Sequence, residues 1–90
     1  MNQPMKPLTA DELQHLHELH SKTTPGEWRS WIEGRDHQSG SDFIKTSGDD
    51  IELTGATHID QDFIAMAHSC IPRLIKELKQ YRETENNSKN

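Results

Sequence analysis

The sequence predicts an α+β fold: an N-terminal helix, a three-stranded antiparallel β-meander, and a C-terminal helix broken or kinked near Pro72. Three observations predict it. Leucines after residue 9 and apolar residues from Phe63 to Tyr81 recur at helical spacing. Between them lie three short segments of strand character, around Trp28–Ile32, Phe43–Ile44 and Ile51–Leu53. The connections joining those segments are short, which suits an antiparallel meander and excludes parallel crossovers.

The elements follow in order. Residues 1–8 contain Pro4 and Pro7, lack periodicity, and read as a flexible arm. Thr9 can cap a helix, with Glu12 three residues on as its capping-box partner and Leu8 placed to staple against Leu13. Leu13, Leu16 and Leu19 give that helix one narrow apolar stripe, and it should end near Lys22. Pro25 and Gly26 suit the central positions of a type II turn, because glycine accepts positive φ there. In the strand Glu27–Glu33, period-2 alternation sets Trp28, Ser30 and Ile32 on one face and Arg29, Trp31 and Glu33 on the other. Asp42–Thr46 and Ile51–Thr54 supply the second and third strands around the turn Ser47-Gly48-Asp49-Asp50. Asp60 reads as a helix cap. Phe63, Ala67, Cys70, Ile71, Leu74, Leu78 and Tyr81 then form the strongest periodic signal in the chain, interrupted by Pro72. In mid-helix that proline would remove a hydrogen bond and crowd the carbonyl of His68, at ~3 kcal/mol. A break at residues 68–71, with Ser69 capping a new helix, avoids that cost.

Composition sets the bounds. Ninety residues and 10.4 kDa allow one small domain, placed at residues 9–82, with a disordered polar tail at 83–90. Hydrophobic residues make up 30% of the chain, and Leu, Ile, Val and Phe only 16 of the 90. The core is therefore thin enough that self-association or a partner would help it, and a homo-oligomer is left open. No window approaches the ~18 apolar residues of a membrane span, and the N-terminus has no apolar run of the signal-peptide kind. A cytoplasmic protein without membrane contact is expected. A pI of about 5.6 disfavours direct nucleic-acid binding, which normally needs a basic footprint. Cys70 is the single cysteine, lies on the apolar stripe, and reads as an inert core thiol.

Charge is concentrated rather than spread. Residues 36–62 carry Lys45 against Asp36, Asp42, Asp49, Asp50, Glu52, Asp60 and Asp62. That segment can be a solvated loop face, a surface for a basic partner, or a weak cation site, although Asp49-Asp50-x-Glu52 lacks the spaced ligands of a calcium loop. Six histidines invite a metal reading in which His17 and His20 share a helix face and His58, Asp60 or His68 completes the set. No His-Glu-x-x-His and no cysteine pair supports it, and the plainer reading is a polar helix face. Trp28 and Trp31 point to opposite sides of one strand. If Trp28 joins Ile32 in the core, Trp31 stands on the outer face with Arg29 and with Phe43 or Ile44. Trp beside Arg suits a partner interface or stacking on a planar ligand.

Two stretches carry a family resemblance. Thr24-Pro25-Gly26-Glu27-Trp28 is similar to a Thr-Pro-Gly-Pro-Trp signature. Asp60-Gln61-Asp62-Phe63-Ile64-Ala65-Met66-Ala67, followed by Ile71-Pro72-Arg73-Leu74-Ile75, is similar to Asp-x-x-Phe-Ile-Ala-x-Ala…Pro-x-Leu-Leu. In this order and behind a leading helix, they resemble the Ead-like small accessory proteins of lambdoid phages and prophages, over roughly residues 10–80. Glu27 stands where that family often has proline, and His68 where Asn or Arg is commoner. The resemblance implies a phage or prophage origin, a non-essential accessory role, and no catalytic residue. The expected function is thus non-enzymatic, without cofactor or metal: binding a host or phage protein with a basic surface. The expected contact residues are Arg29, Trp31, Asp42, Asp49, Asp50 and Glu52. The alternative is a protein that sequesters a small nucleotide signal, using Trp31 and Arg29 around a dimer cleft.

Overall fold

The structure, a computed structural model, describes residues 5–88. Its order is α1 (Ala10–Ser21), β1 (Arg29–Trp31), β2 (Phe43–Lys45) and α2 (His58–Ser88). The first helix forms as its sequence dictates. Thr9 accepts from the Glu12 amide at 3.0 Å, and the Glu12 carboxylate accepts from the Thr9 amide at 2.9 Å, closing the capping box. The helix ends at Lys22, and Gly26 follows in the left-handed region at φ 91°, where a type II turn needs glycine. Of the arm, residues 1–4 lie outside the described residues; Met5 to Leu8 is irregular and exposed, and the Leu8 carbonyl accepts from Arg82 at 2.8 Å.

β1 and β2 pair antiparallel, with Arg29 opposite Lys45, Ser30 opposite Ile44 and Trp31 opposite Phe43. Among the described residues the sheet has these two strands, and the expected third is reduced to one bridge between Ile44 and Ile51. The reason is local. Leu53 gives its carbonyl to the Ala56 amide, and Gly55 at φ 85° turns the chain towards α2 before a second bridge can form.

α2 begins one turn earlier than expected. Thr57, not Asp60, is the cap: its hydroxyl accepts from the Asp60 amide at 3.0 Å, while the Asp60 carboxylate accepts from the Thr57 amide at 3.0 Å. The helix then continues through Pro72, so that of the break or kink expected at residues 68–71 the break does not occur. Lacking an N–H, Pro72 leaves the His68 carbonyl without its helical partner, and His20 of α1 donates to that carbonyl from Nε2 at 2.9 Å. The polar tail expected from residue 83 is helical as far as Ser88, and residues 89–90 lie outside the described residues.

The core is small. Leu13, Ile32, Ile44, Ala65 and Ile75 are its buried apolar side chains among the described residues. The inward face of α2, turned to the sheet at Gln61 and to α1 at His68, carries Gln61, Ala65, His68, Pro72 and Ile75, in steps of four and three residues. Phe63, Leu74 and Tyr81, expected inside, are exposed instead, and Cys70 is half-buried rather than a core thiol. No helix among the described residues is long and apolar enough to cross a membrane.

Candidate interaction surface

Two side chains join α2 to the sheet and so fix what the sheet shows to the outside. Gln61 is almost fully buried; its amide nitrogen donates to the Ser30 hydroxyl at 2.9 Å, the Phe43 carbonyl at 3.0 Å and the Trp31 carbonyl at 3.3 Å. Arg35, in the loop between the strands, binds both oxygens of Asp62 at 2.9 and 3.1 Å and reaches Asp36 at 2.8 Å. This fork holds the Asp62 carboxyl down at about 2, holds Asp36 low as well, and keeps the guanidinium charged.

A second junction joins the two resemblance-bearing stretches. The Trp28 indole lies flat on the His68 ring, 3.8 Å between centroids and 5° between planes, and His20 stacks on His68 at 4.4 Å. The Trp28 Nε1–H donates to the Thr24 carbonyl at 3.0 Å, and Ser47 donates to that of Pro25 at 2.7 Å, so the turn at Pro25-Gly26 sets the indole over α2. The Thr23 hydroxyl donates to the His20 carbonyl at 2.7 Å and therefore accepts from His68 Nε2 at 2.7 Å. The remaining ring nitrogen, His68 Nδ1, is buried without a partner, and burial with His20 alongside lowers the pKa of His68.

With Ser30 and Ile44 turned inward, the opposite face of the sheet carries Trp31 and Phe43, ring centroids 6.0 Å apart. His37 folds back from the loop and joins them, at 5.6 Å from Trp31 and 5.1 Å from Phe43. Its Nδ1 accepts from the Ser39 amide at 3.0 Å, which leaves the proton on Nε2, buried and unpartnered. The Lys45 ammonium stands 4.4 Å above the Trp31 ring, a cation–π contact. Arg29 sits directly across from Lys45, and the Glu27 carboxylate lies 4.0 Å from its guanidinium. Like charges directly opposite on a strand pair oppose folding.

The residues expected to form one acidic, tryptophan-bearing contact are therefore placed differently from one another. Arg29 and Trp31 alternate to the same side of β1, although Arg29 also lines a groove against α2 with Asp62, Met66 and Arg73. Of the two candidates for the neighbour of Trp31 it is Phe43 that joins it, Ile44 being the most buried side chain of the core. Asp42 is engaged below the sheet edge: one oxygen accepts from the Glu33 amide at 2.8 Å and the other lies 3.1 Å from His58 Nε2. Glu52 lines a shallow groove with Leu53, Asp60, Phe63 and Ile64 at the start of α2. Asp49 and Asp50 are exposed in the turn after β2. Lys45, His37 and Phe43 complete the aromatic, cationic face. Lys45 and Phe43 were visible as the alternating partners of Ile44, whereas His37 lies in a polar loop that gives no such cue. Among the described residues no three His, Cys, Asp or Glu side chains gather as a metal-ligating group. His20 and His68 are occupied with each other, and His58 with Asp42.

Comparison with protein families, characterised proteins and solved structures yields no match for this chain. Its function is accordingly argued from the geometry of this face.

Proposed function

We propose that the chain is a non-enzymatic binding protein that meets a protein partner through the outer face of β1 and β2. One observation carries the reading: Lys45 stands over a half-exposed Trp31 and is opposed across the strands by a second cation, Arg29. That arrangement weakens the isolated sheet and suits a partner that presents a carboxylate beside an apolar or aromatic side chain. Asp49 and Asp50, in the turn that continues from Lys45, add an acidic margin, so the partner surface is of mixed charge and basic where it meets that turn. The resemblance to Ead-like accessory proteins supports a phage or prophage setting and a host or phage protein as the partner. A cytoplasmic location belongs to the same reading.

The test is a quantitative affinity capture from host lysate with the full chain, alongside Trp31→Ala and Lys45→Glu. The expected outcome is a protein enriched by the wild type at moderate salt and lost with both substitutions. Equal recovery by wild type and both variants would contradict the proposal.

A second reading rests on the same cation–aromatic pair, which also suits a planar anion such as a nucleotide. A thermal-shift screen separates the two, because a ligand at 100 times its Kd adds about 2.7 kcal/mol to stability. Lys45 already covers one face of Trp31, which favours the protein partner.

A further inference from the structure

We propose that α2 pairs antiparallel with α2 of a second copy of this chain, through the apolar stripe that the fold leaves outside. The stripe runs Ile59, Phe63, Met66, Cys70, Leu74 and Tyr81, and helical geometry sets it opposite the inward face of Gln61, Ala65 and Ile75. Its large members are exposed by 79% at Ile59, 69% at Phe63, 68% at Met66, 55% at Leu74 and 66% at Tyr81. Between Phe63, Met66, Cys70, Ile71 and Leu74 lies a groove of about 480 Å³ with almost no polar lining. Helices that are exposed to water bury such a stripe against another element.

Two features select a second copy as the occupant. The first is symmetry, because a twofold contact must be complementary to itself. About Cys70 the stripe is nearly a mirror of itself: Ile59 comes opposite Tyr81 of the second copy, Met66 opposite its Leu74, and the small Cys70 lies at the axis. The second is charge. Over residues 58–82, the span that overlaps when Cys70 lies at the axis, the first half carries Asp60 and Asp62, the latter bound by Arg35, without Lys or Arg. The second half carries Arg73, Lys76, Lys79 and Arg82 against Glu77; Glu83 and Glu85 lie beyond the overlap. An antiparallel pair sets acidic half against basic half and opposes the helix dipoles; a parallel pair sets like on like. Glu77 is the charged position within the stripe, and it comes opposite Phe63.

The test uses the full chain. Sedimentation equilibrium should give twice the 10.4 kDa chain mass at micromolar concentration. Phe63→Glu and Met66→Lys, both at exposed sites, should raise the dissociation constant by roughly 30-fold or more while leaving the circular dichroism spectrum unchanged. Glu77→Leu should tighten the pair. In a Cys70→Ser background, mixing Ile59→Cys with Tyr81→Cys should give a heterodimer with a short bismaleimide, and Ile59→Cys alone should give none. A monomer at all concentrations, a dimer indifferent to Phe63→Glu, or self-crosslinking of Ile59→Cys would each overturn the proposal.

Discussion

Pro72 and His20, distant in sequence, act as a pair. The proline strands the His68 carbonyl, and the imidazole of α1 takes it up at 2.9 Å. A buried carbonyl left without a donor costs ~1–3 kcal/mol, so His20→Ala should destabilise the chain by about that amount. Pro72→Ala restores the helical N–H, and in that background His20→Ala should cost ~1 kcal/mol less, measured as the coupling in a denaturant double-mutant cycle. The stacked His68 also makes stability depend on pH. Its folded pKa lies below the ordinary 6.5, so the unfolded chain binds the proton more readily. Stability from this site is therefore complete above about 6.5, and is lost as pH falls through the lowered folded value. The groups facing His68 are His20 and Thr23 at the end of α1 and the neutral ring of Trp28; no carboxylate among these contacts offsets its charge. Denaturation midpoints between pH 7.5 and 5 should fall in the wild type and fall less in His68→Phe. None of this was legible locally. The sequence shows a proline in a helical pattern and six histidines, but the spacing cannot say that one of those histidines compensates for the proline.

At the scale of elements, what could be read from sequence is what short-range chemistry decides. The capping box of α1, its end at Lys22, the turn at Gly26 and the division of Trp28, Ser30 and Ile32 from Arg29 and Trp31 each depend on neighbours a few residues away. The failures are those in which a distant element intervenes. Ile51 begins a strand, but Gly55 redirects the chain to α2 after a single bridge. The inward face of α2 is not the one that apolar periodicity marks, because periodicity marks an apolar stripe without saying what buries it. The sheet needs a polar partner there: Gln61 donates to the carbonyls of Trp31 and Phe43, and a leucine would leave both without that bond. Gln61→Leu should therefore destabilise by ~2–3 kcal/mol despite the added apolar surface, whereas Gln61→Glu should do no better. Thr57→Ala, which removes one arm of the α2 capping box, should cost ~1 kcal/mol by thermal or chemical unfolding.

The whole molecule is extended. Its radius of gyration is 17.1 Å, against roughly 12 Å for a compact domain of this length. The low apolar fraction of the sequence accounts for part of this, since five buried apolar side chains among the described residues cannot enclose a helix of 31 residues. The surface left over falls into two faces of different character. The stripe on α2 is apolar and self-complementary, with acidic residues beside its first half and mainly basic ones beside its second as far as Arg82; the outer sheet face is aromatic and cationic, with like charges opposed. We assign the first to pairing and the second to the partner. The comparison that tests this division most directly is the solution mass of Phe63→Glu beside that of the Trp31→Ala, Lys45→Glu double variant, by sedimentation equilibrium at one micromolar-range concentration. The account predicts a monomer for Phe63→Glu and an undisturbed dimer for the double variant. A dimer for Phe63→Glu together with a monomer for the double variant would contradict it.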